Sequence, residues 1–246
     1  MNFPLYSNEV PALTTDQMVE VDRAMIEDYH IELIQMMENA GRNLAHLARV
    51  RFLDGNPVGR RVVILAGTGG NGGGALASAR RLHNWGARVH VFLTKSADKF
   101  TPIPAHQLDI LQRMGVPVAQ AGGVGGTKNV ELVVDGLIGY SLSGAPRGTV
   151  GDLIAWANTQ QAPILALDAP SGLDTTTGTI YNPAIRATAT MSLALPKRGL
   201  LALDVAEQVG ELYLADISVP SELYAGLVLG LKVDPIFAKS DIVRLR

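Results

Sequence analysis

Three short segments of this sequence carry residues whose types and spacing suit chemistry. The first, Gly67-Thr68-Gly69-Gly70-Asn71-Gly72-Gly73-Gly74, holds six glycines in eight residues, and Gly67, Gly69 and Gly72 satisfy the pattern G-x-G-x-x-G. Between a strand and a helix, such a loop lets a phosphate approach the amides of the helix N-terminus; a tight turn without a ligand is the alternative. The second segment runs from Asp135 through Gly136, Leu137, Ile138, Gly139, Tyr140, Ser141, Leu142 and Ser143 to Gly144. The third is Leu167-Asp168-Ala169-Pro170-Ser171-Gly172-Leu173-Asp174. Each of these two places an aspartate at the carboxyl end of an apolar run, either as part of a site or as the cap of its own turn.

Other chemistries are narrowed by what the sequence contains. Zero cysteines exclude disulfides, a thiolate nucleophile and Cys-ligated zinc or iron–sulfur centres. The histidines, at positions 30, 46, 83, 90 and 106, never fall at i, i+4, which argues against a histidine metal motif; only His83, on the helix after the glycine loop, is near it in sequence. With 21 basic and 23 acidic side chains and 5% aromatics, neither nucleic acid nor an anionic membrane is an expected partner. The run 62–66 and the next, Val89 to Leu93, resemble the opening strands of a dinucleotide fold, but the second is followed by Thr94-Lys95 where a dehydrogenase places an acid for the ribose. That weakens a nicotinamide oxidoreductase, although Lys95 could meet a 2′-phosphate.

The elements that must position these segments follow from periodicity. Thr14 and Gln17 form a capping-box pattern, with Met18, Val21, Met25 and Tyr29 at helical spacing after it. Leu33, Met36, Met37, Ala40, Leu44 and Leu47 predict a second helix ending before Asp54-Gly55-Asn56-Pro57, its methionines core packing. Strands are predicted at 62–66, 89–93, 116–119, 131–135 and 164–168, with further ones at 187–195 and 211–217. Helices are predicted up to about Asn84 with Gly86 as the stop, across 105–114 and over 150–158. This alternation calls for a three-layer α/β/α, Rossmann-like doubly wound and mainly parallel sheet with an N-terminal helical extension. It is expected as one domain over 1–246. In the order 3-2-1-4-5 the three loops converge at the switch point. The start of the chain shows no signal-peptide pattern, and the apolar run Leu223 to Leu231 is about half the ~20 residues of a membrane span, so a cytoplasmic protein is expected.

These segments, together with Met37-Glu38-Asn39-Ala40-Gly41, Leu193-Ala194-Leu195-Pro196-Lys197 and Gly210-Glu211-Leu212-Tyr213-Leu214-Ala215-Asp216-Ile217, resemble the NAD(P)H-hydrate epimerase family, the YjeF N-terminal domain, over nearly the whole chain. The resemblance implies a Rossmann-like domain, often a homodimer, that interconverts the R and S forms of NADH or NADPH hydrated at C6 of the nicotinamide, so that a dehydratase can restore the cofactor. It places potassium ligands at Asn71, Asp135 and Ser171, a donor set suited to a hard cation. Nucleotide contacts fall at Gly70, Asn71, Gly72, Gly73 and Gly74 and at Gly139, Tyr140, Ser141, Leu142, Ser143, Gly144 and Ala145. Asp168 faces the reacting ring as general acid/base, the alternative being a cap for the loop at Ser171 and Gly172. Chemistry would proceed by ring opening or by reversible loss of the hydroxyl. Lys197 reads either as a phosphate contact or as a solvated turn lysine, Asp174 as a turn former, and Gly41 as a close-packing position.

One departure stands out. The family loop usually reads G-x-G-N-N-G-G-D-G, whereas here Gly70 replaces the first Asn, Gly74 the Asp and Ala75 the last Gly. A carboxylate beside the ligand is therefore missing, and a binding module of the same fold with impaired catalysis is the runner-up. No kinase-like domain is expected in the 26 residues after Pro220 (246 minus 220), so the dehydratase would be a separate protein.

Overall fold

Apolar runs too short to be helices form strands, and the helices between them cover both faces of the sheet those strands make. The computed structural model describes residues 3–226 and 228–246; Met1, Asn2 and Leu227, the last inside the apolar run 223–231, lie outside the described residues. The order is α1 (Thr15–Glu27), α2 (Leu33–Phe52), β1 (Arg61–Ala66), α3 (Gly70–Asn84), β2 (Arg88–Leu93), α4 (Pro102–Arg113), β3 (Val118–Gln120), β4 (Leu132–Gly136), α5 (Gly148–Thr159), β5 (Ile164–Leu167), β6 (Ala189–Leu193), α6 (Ala206–Val209), β7 (Glu211–Ala215), α7 (Ser221–Ala225) and β8 (Ile242–Arg244).

The eight strands form one sheet in the order β3-β2-β1-β4-β5-β6-β7-β8, parallel except for the antiparallel β7–β8 pair. The expected core order 3-2-1-4-5 is therefore extended on one side only. The switch point lies between β1 and β4, where Leu65 pairs with Asp135 and Ala66 with Gly136. One face packs on α2, α3 and α4 through residues such as Leu44, Leu76, Leu108, Ile64 and Val91. The other packs on α5 through Val63, Leu65, Val133, Leu153 and Ile154. Such two-sided burial is why the central strands read as continuous apolar runs.

The Thr14–Gln17 capping box forms as predicted, but α1 stops at Glu27, leaving Tyr29 outside the helix with 40% of its surface exposed. Met18, Val21 and Met25 pack with the start of α2 and with Ala194, Leu195 and Ile217, which follow β6 and β7. This helix thus covers the carboxyl ends of those strands. At Gly41 a Cβ would sit 2.5 Å from the Cβ of Ala77 and 2.8 Å from the Gly74 carbonyl oxygen, so α2 lies on α3 at a distance that only glycine permits. No helix among the described residues is long and apolar enough to cross a membrane.

Candidate active site

All three loops meet at the carboxyl end of the sheet. The N-terminus of α3 follows Gly69, which is extended at the N-cap, and the first intrahelical bond runs from the Gly73 N–H to the Gly69 carbonyl at 3.0 Å. The amides of Gly70, Asn71 and Gly72 precede that bond and form the electropositive end of a 15-residue helix. Gly67 donates to the Gly136 carbonyl at 3.0 Å, tying the first loop to the second. The glycines have separate duties. A Cβ on Gly72 would lie 1.9 Å from the Gly67 carbonyl oxygen, and one on Gly73 2.5 Å from the Met37 sulfur; both are buried packing positions. Gly70, Asn71 and Gly74 instead line a cavity of about 150 Å³.

That cavity is smaller than the ~300–1,000 Å³ of sites that enclose whole drug-sized ligands, so it fits one end of a ligand. Gly139, Tyr140 and Ser141 form another part of its wall, while Leu142, Ser143, Gly144 and Ala145 lie beyond it on a largely exposed stretch. Met18, Met36 and Met37, read from sequence as core packing, also wall it. Lys95 is exposed at the end of β2 and is not part of the lining. His83 lies 13 residues along α3 from Gly70, roughly 20 Å from the site at the helical rise, and has no place in it.

Asp168 is the first residue past β5. Its N–H donates to the Met191 carbonyl at 2.7 Å, and its backbone adopts φ 65°, a left-handed conformation that costs a non-glycine residue of order 1–2 kcal/mol. Ala194, past the neighbouring strand, is strained in the same way at φ 63°. The Asp168 carboxylate does not cap its own loop. Oδ1 accepts from Lys197 Nζ and, at 3.4 Å, from the Leu193 N–H. Oδ2 and the Asn71 side-chain oxygen each lie 3.3 Å from where a Cβ on Gly139 would be, so a side chain there would crowd both groups. Lys197 is neither a solvated turn residue nor an outward phosphate contact. It is fully buried and also donates to the Leu193 carbonyl at 2.9 Å.

Asp135 is fully buried and forms no salt bridge among the described residues. Its oxygens accept from the Leu137 N–H at 3.1 Å, the Ser171 N–H at 2.8 Å and the Ser171 hydroxyl at 2.7 Å; Ser171 Oγ in turn accepts from the Ile138 N–H at 2.9 Å. One carboxyl group thereby joins the second and third loops. Burial pushes it up to about 6, against the opposing pull of those hydrogen bonds. Asn71 Nδ2 is buried with no partner among the described residues. Asp174 is a turn former as read from sequence, accepting from the Thr176 and Thr177 amides at 2.9 and 2.7 Å.

The sequence reading missed Asp22, on α1. It lines the cavity and accepts a hydrogen bond from the Tyr140 hydroxyl. Burial holds this carboxyl above the ordinary range, although the Tyr140 bond pulls the other way. Tyr140 is raised far above the usual tyrosine range, first by burial and then by Asp22. A signal was present: position 22 lies four residues after Met18 and three before Met25, on the apolar face of α1, where an acid is out of pattern.

The family described as "YjeF-related protein N-terminus" matches residues 33–199. A protein of Dehalogenimonas lykanthroporepellens named NAD(P)H-hydrate epimerase is 40% identical over 224 residues, covering 89% of this chain and 87% of that protein. A second of that name, from Rhodopirellula baltica, is 32% identical over 87% of each. The bifunctional NAD(P)H-hydrate repair enzyme Nnr of Salinibacter ruber is 35% identical over 85% of this chain, which spans only 41% of that longer protein. Among solved structures, yeast ynu0, YNL200c, has a TM-score of 0.79 at 25% identity, covering 96% of this chain and all of that one.

Proposed function

Because this chain belongs to the YjeF-related N-terminal family, we propose that it is an isomerase: an NAD(P)H-hydrate epimerase that interconverts the R and S forms of hydrated NADH and NADPH, with Asp168 as general acid/base. The observation that carries the assignment is the disposition of Asp168, whose Oδ1 is fixed by Lys197 while the residue lines a ring-sized cavity next to the N-terminus of α3. In this arrangement the phosphates of the nucleotide lie against the amides of Gly70 to Gly72, and the hydrated ring enters the cavity with C6 beside Asp168. The apolar methionine wall limits water around the ring. Gly74 leaves that wall without a carboxylate, yet the cavity and Asp168 are both in place, which favours the catalyst over a binding module.

Potassium is part of the same proposal. Asp135, Ser171 and Asn71 offer oxygen donors, and a fully buried carboxyl without a cationic side chain is an environment that a hard cation would neutralise. Bound there, the ion would order the second and third loops around the substrate. The protein is further proposed to act in the cytoplasm, as a single-domain homodimer, and upstream of a separate dehydratase; support comes from the family resemblance and from relatives in which both repair functions share one chain.

The test is direct. Pure S- or R-hydrate, incubated with the protein in potassium buffer and followed chromatographically, should approach the epimer mixture much faster than without protein. Asp168→Ala should abolish the acceleration. Absence of exchange with the wild-type protein would refute the enzyme.

A further inference from the structure

An epimerisation at C6 without net oxidation must break and remake a bond at one carbon, placing the hydroxyl first on one face of the ring and then on the other. A proton has to reach the departing oxygen, and another has to leave the returning one. Among the described residues lining the cavity there are two carboxyl groups, Asp168 and Asp22. Asp22 lies on α1, ahead of the family match that begins at residue 33.

The position is a costly one for an acid. Asp22 sits on the apolar face of an amphipathic helix, and no lysine or arginine forms a salt bridge with it among the described residues. Its one hydrogen bond there is from the Tyr140 hydroxyl to Oδ2, so its other oxygen has no protein partner among those residues. The groups whose charge reaches it are Tyr140, Lys197 and Asp168, the last two already paired with each other. A packing role would be served better by a leucine or methionine. A proton-carrying role explains the acid, its aim at the cavity and the tyrosine that holds it.

We propose that Asp22 is the second acid/base carboxyl of this cavity and that Tyr140 is its positioning residue. This rests on the epimerase assignment. The protonated Asp22 gives its proton to the C6 hydroxyl as the C6–O bond breaks; the bonding pair leaves on oxygen as water, and the N1 lone pair forms N1=C6. Water then adds to the other face of C6, the π pair returns to N1, and Asp168 takes the proton from the incoming oxygen. The substrate's atoms and oxidation state are unchanged; the enzyme is left with Asp22 ionised and Asp168 protonated. Asp168 therefore releases a proton to water and Asp22 takes one up before the next turn, while the opposite epimer runs the same steps in reverse.

The experiment is a pH profile of R/S exchange for the wild type, Asp22→Asn and Tyr140→Phe, with folding checked by circular dichroism. Asp22→Asn should lower kcat by roughly 10²–10⁴-fold and leave KM within about threefold. Wild-type activity should fall as pH rises through the Asp22 titration. Since the tyrosine bond favours the ionised carboxylate, Tyr140→Phe should move that alkaline limb to higher pH. Exchange by folded Asp22→Asn within about threefold of wild type overturns the role of Asp22 and leaves the epimerase assignment standing. No exchange by the wild type overturns both. If Asp22→Asn does not fold, the Tyr140→Phe profile decides, and an unmoved alkaline limb overturns the proposal.

Discussion

The ammonium of Lys197 and the carboxylate of Asp168 form an ion pair with the lysine wholly buried and the aspartate side chain 5% exposed. Lysine is among the residue types least often found inside proteins, and it stays there only when its charge is met. Here one strand-end carbonyl and one carboxylate meet it, the Leu193 carbonyl accepting at 2.9 Å beside Asp168. The pair fixes one oxygen of the proposed acid/base and leaves the cavity-facing edge free to work.

Breaking that pair from either side should be expensive. Lys197→Met is expected to destabilise the fold by about 3–5 kcal/mol in urea denaturation, because it strands a buried carboxylate. The double variant Lys197→Met with Asp168→Asn should be less destabilised than the sum of the singles. Additive losses would show that the two charges are not coupled.

The glycine loop should respond position by position. Gly72→Ala drives a methyl group into the Gly67 carbonyl oxygen, a backbone atom 1.9 Å away that cannot swing aside, and should cost about 3 kcal/mol or prevent folding. At Gly69 the added methyl group meets nothing within 4 Å, and the alanine should cost about 1 kcal/mol or less as a weaker N-cap. Denaturation midpoints of the two variants test the ranking.

Asp135 makes stability depend on pH in a direction opposite to that of most paired carboxylates. Its folded value, about 6, lies above the ordinary 3.8, so the fold binds the proton more tightly than the unfolded chain does. Stability from this group is full below about 4 and is lost as pH rises to about 6, then stays flat. Asp135→Asn should remove this slope from the melting temperature. If potassium binds as proposed, replacing sodium by potassium should raise Tm at pH 8 and have little effect at pH 4, where the proton outcompetes the cation.

Much of this architecture is legible in the sequence because two-sided burial writes itself as short apolar runs. The strands predicted at 62–66, 89–93 and 164–168, the last of which ends one residue earlier at Leu167, and the convergence of their loops, follow from periodicity and the rules of doubly wound sheets. The edge strand β8 is not legible, since three residues paired with the 4–6 segment and β7 leave no periodic trace. Lys197 is not legible for a different reason: its neighbours Pro196, Arg198 and Gly199 look like a surface turn, whereas in the fold it is buried and paired with Asp168. Asp22 belongs to no motif, and its only trace in the sequence is an acid within an apolar stripe.

Leu13 bridges Lys197 in a parallel pair, with Leu13 donating to the Pro196 carbonyl and Arg198 to the Leu13 carbonyl, at 2.9 and 2.8 Å. The two residues are 184 positions apart (197 minus 13), and the helix carrying Asp22 begins two residues after Leu13. A contact of such high order forms late, after loop-closure entropy has been met by the rest of the sheet. During synthesis residues 13–27 emerge well before residue 197, and their seat beside Lys197 waits for it. A ribosome-bound chain that has not yet released residue 197 therefore lacks both the partner of Asp168 and the bridge that seats the segment before α1.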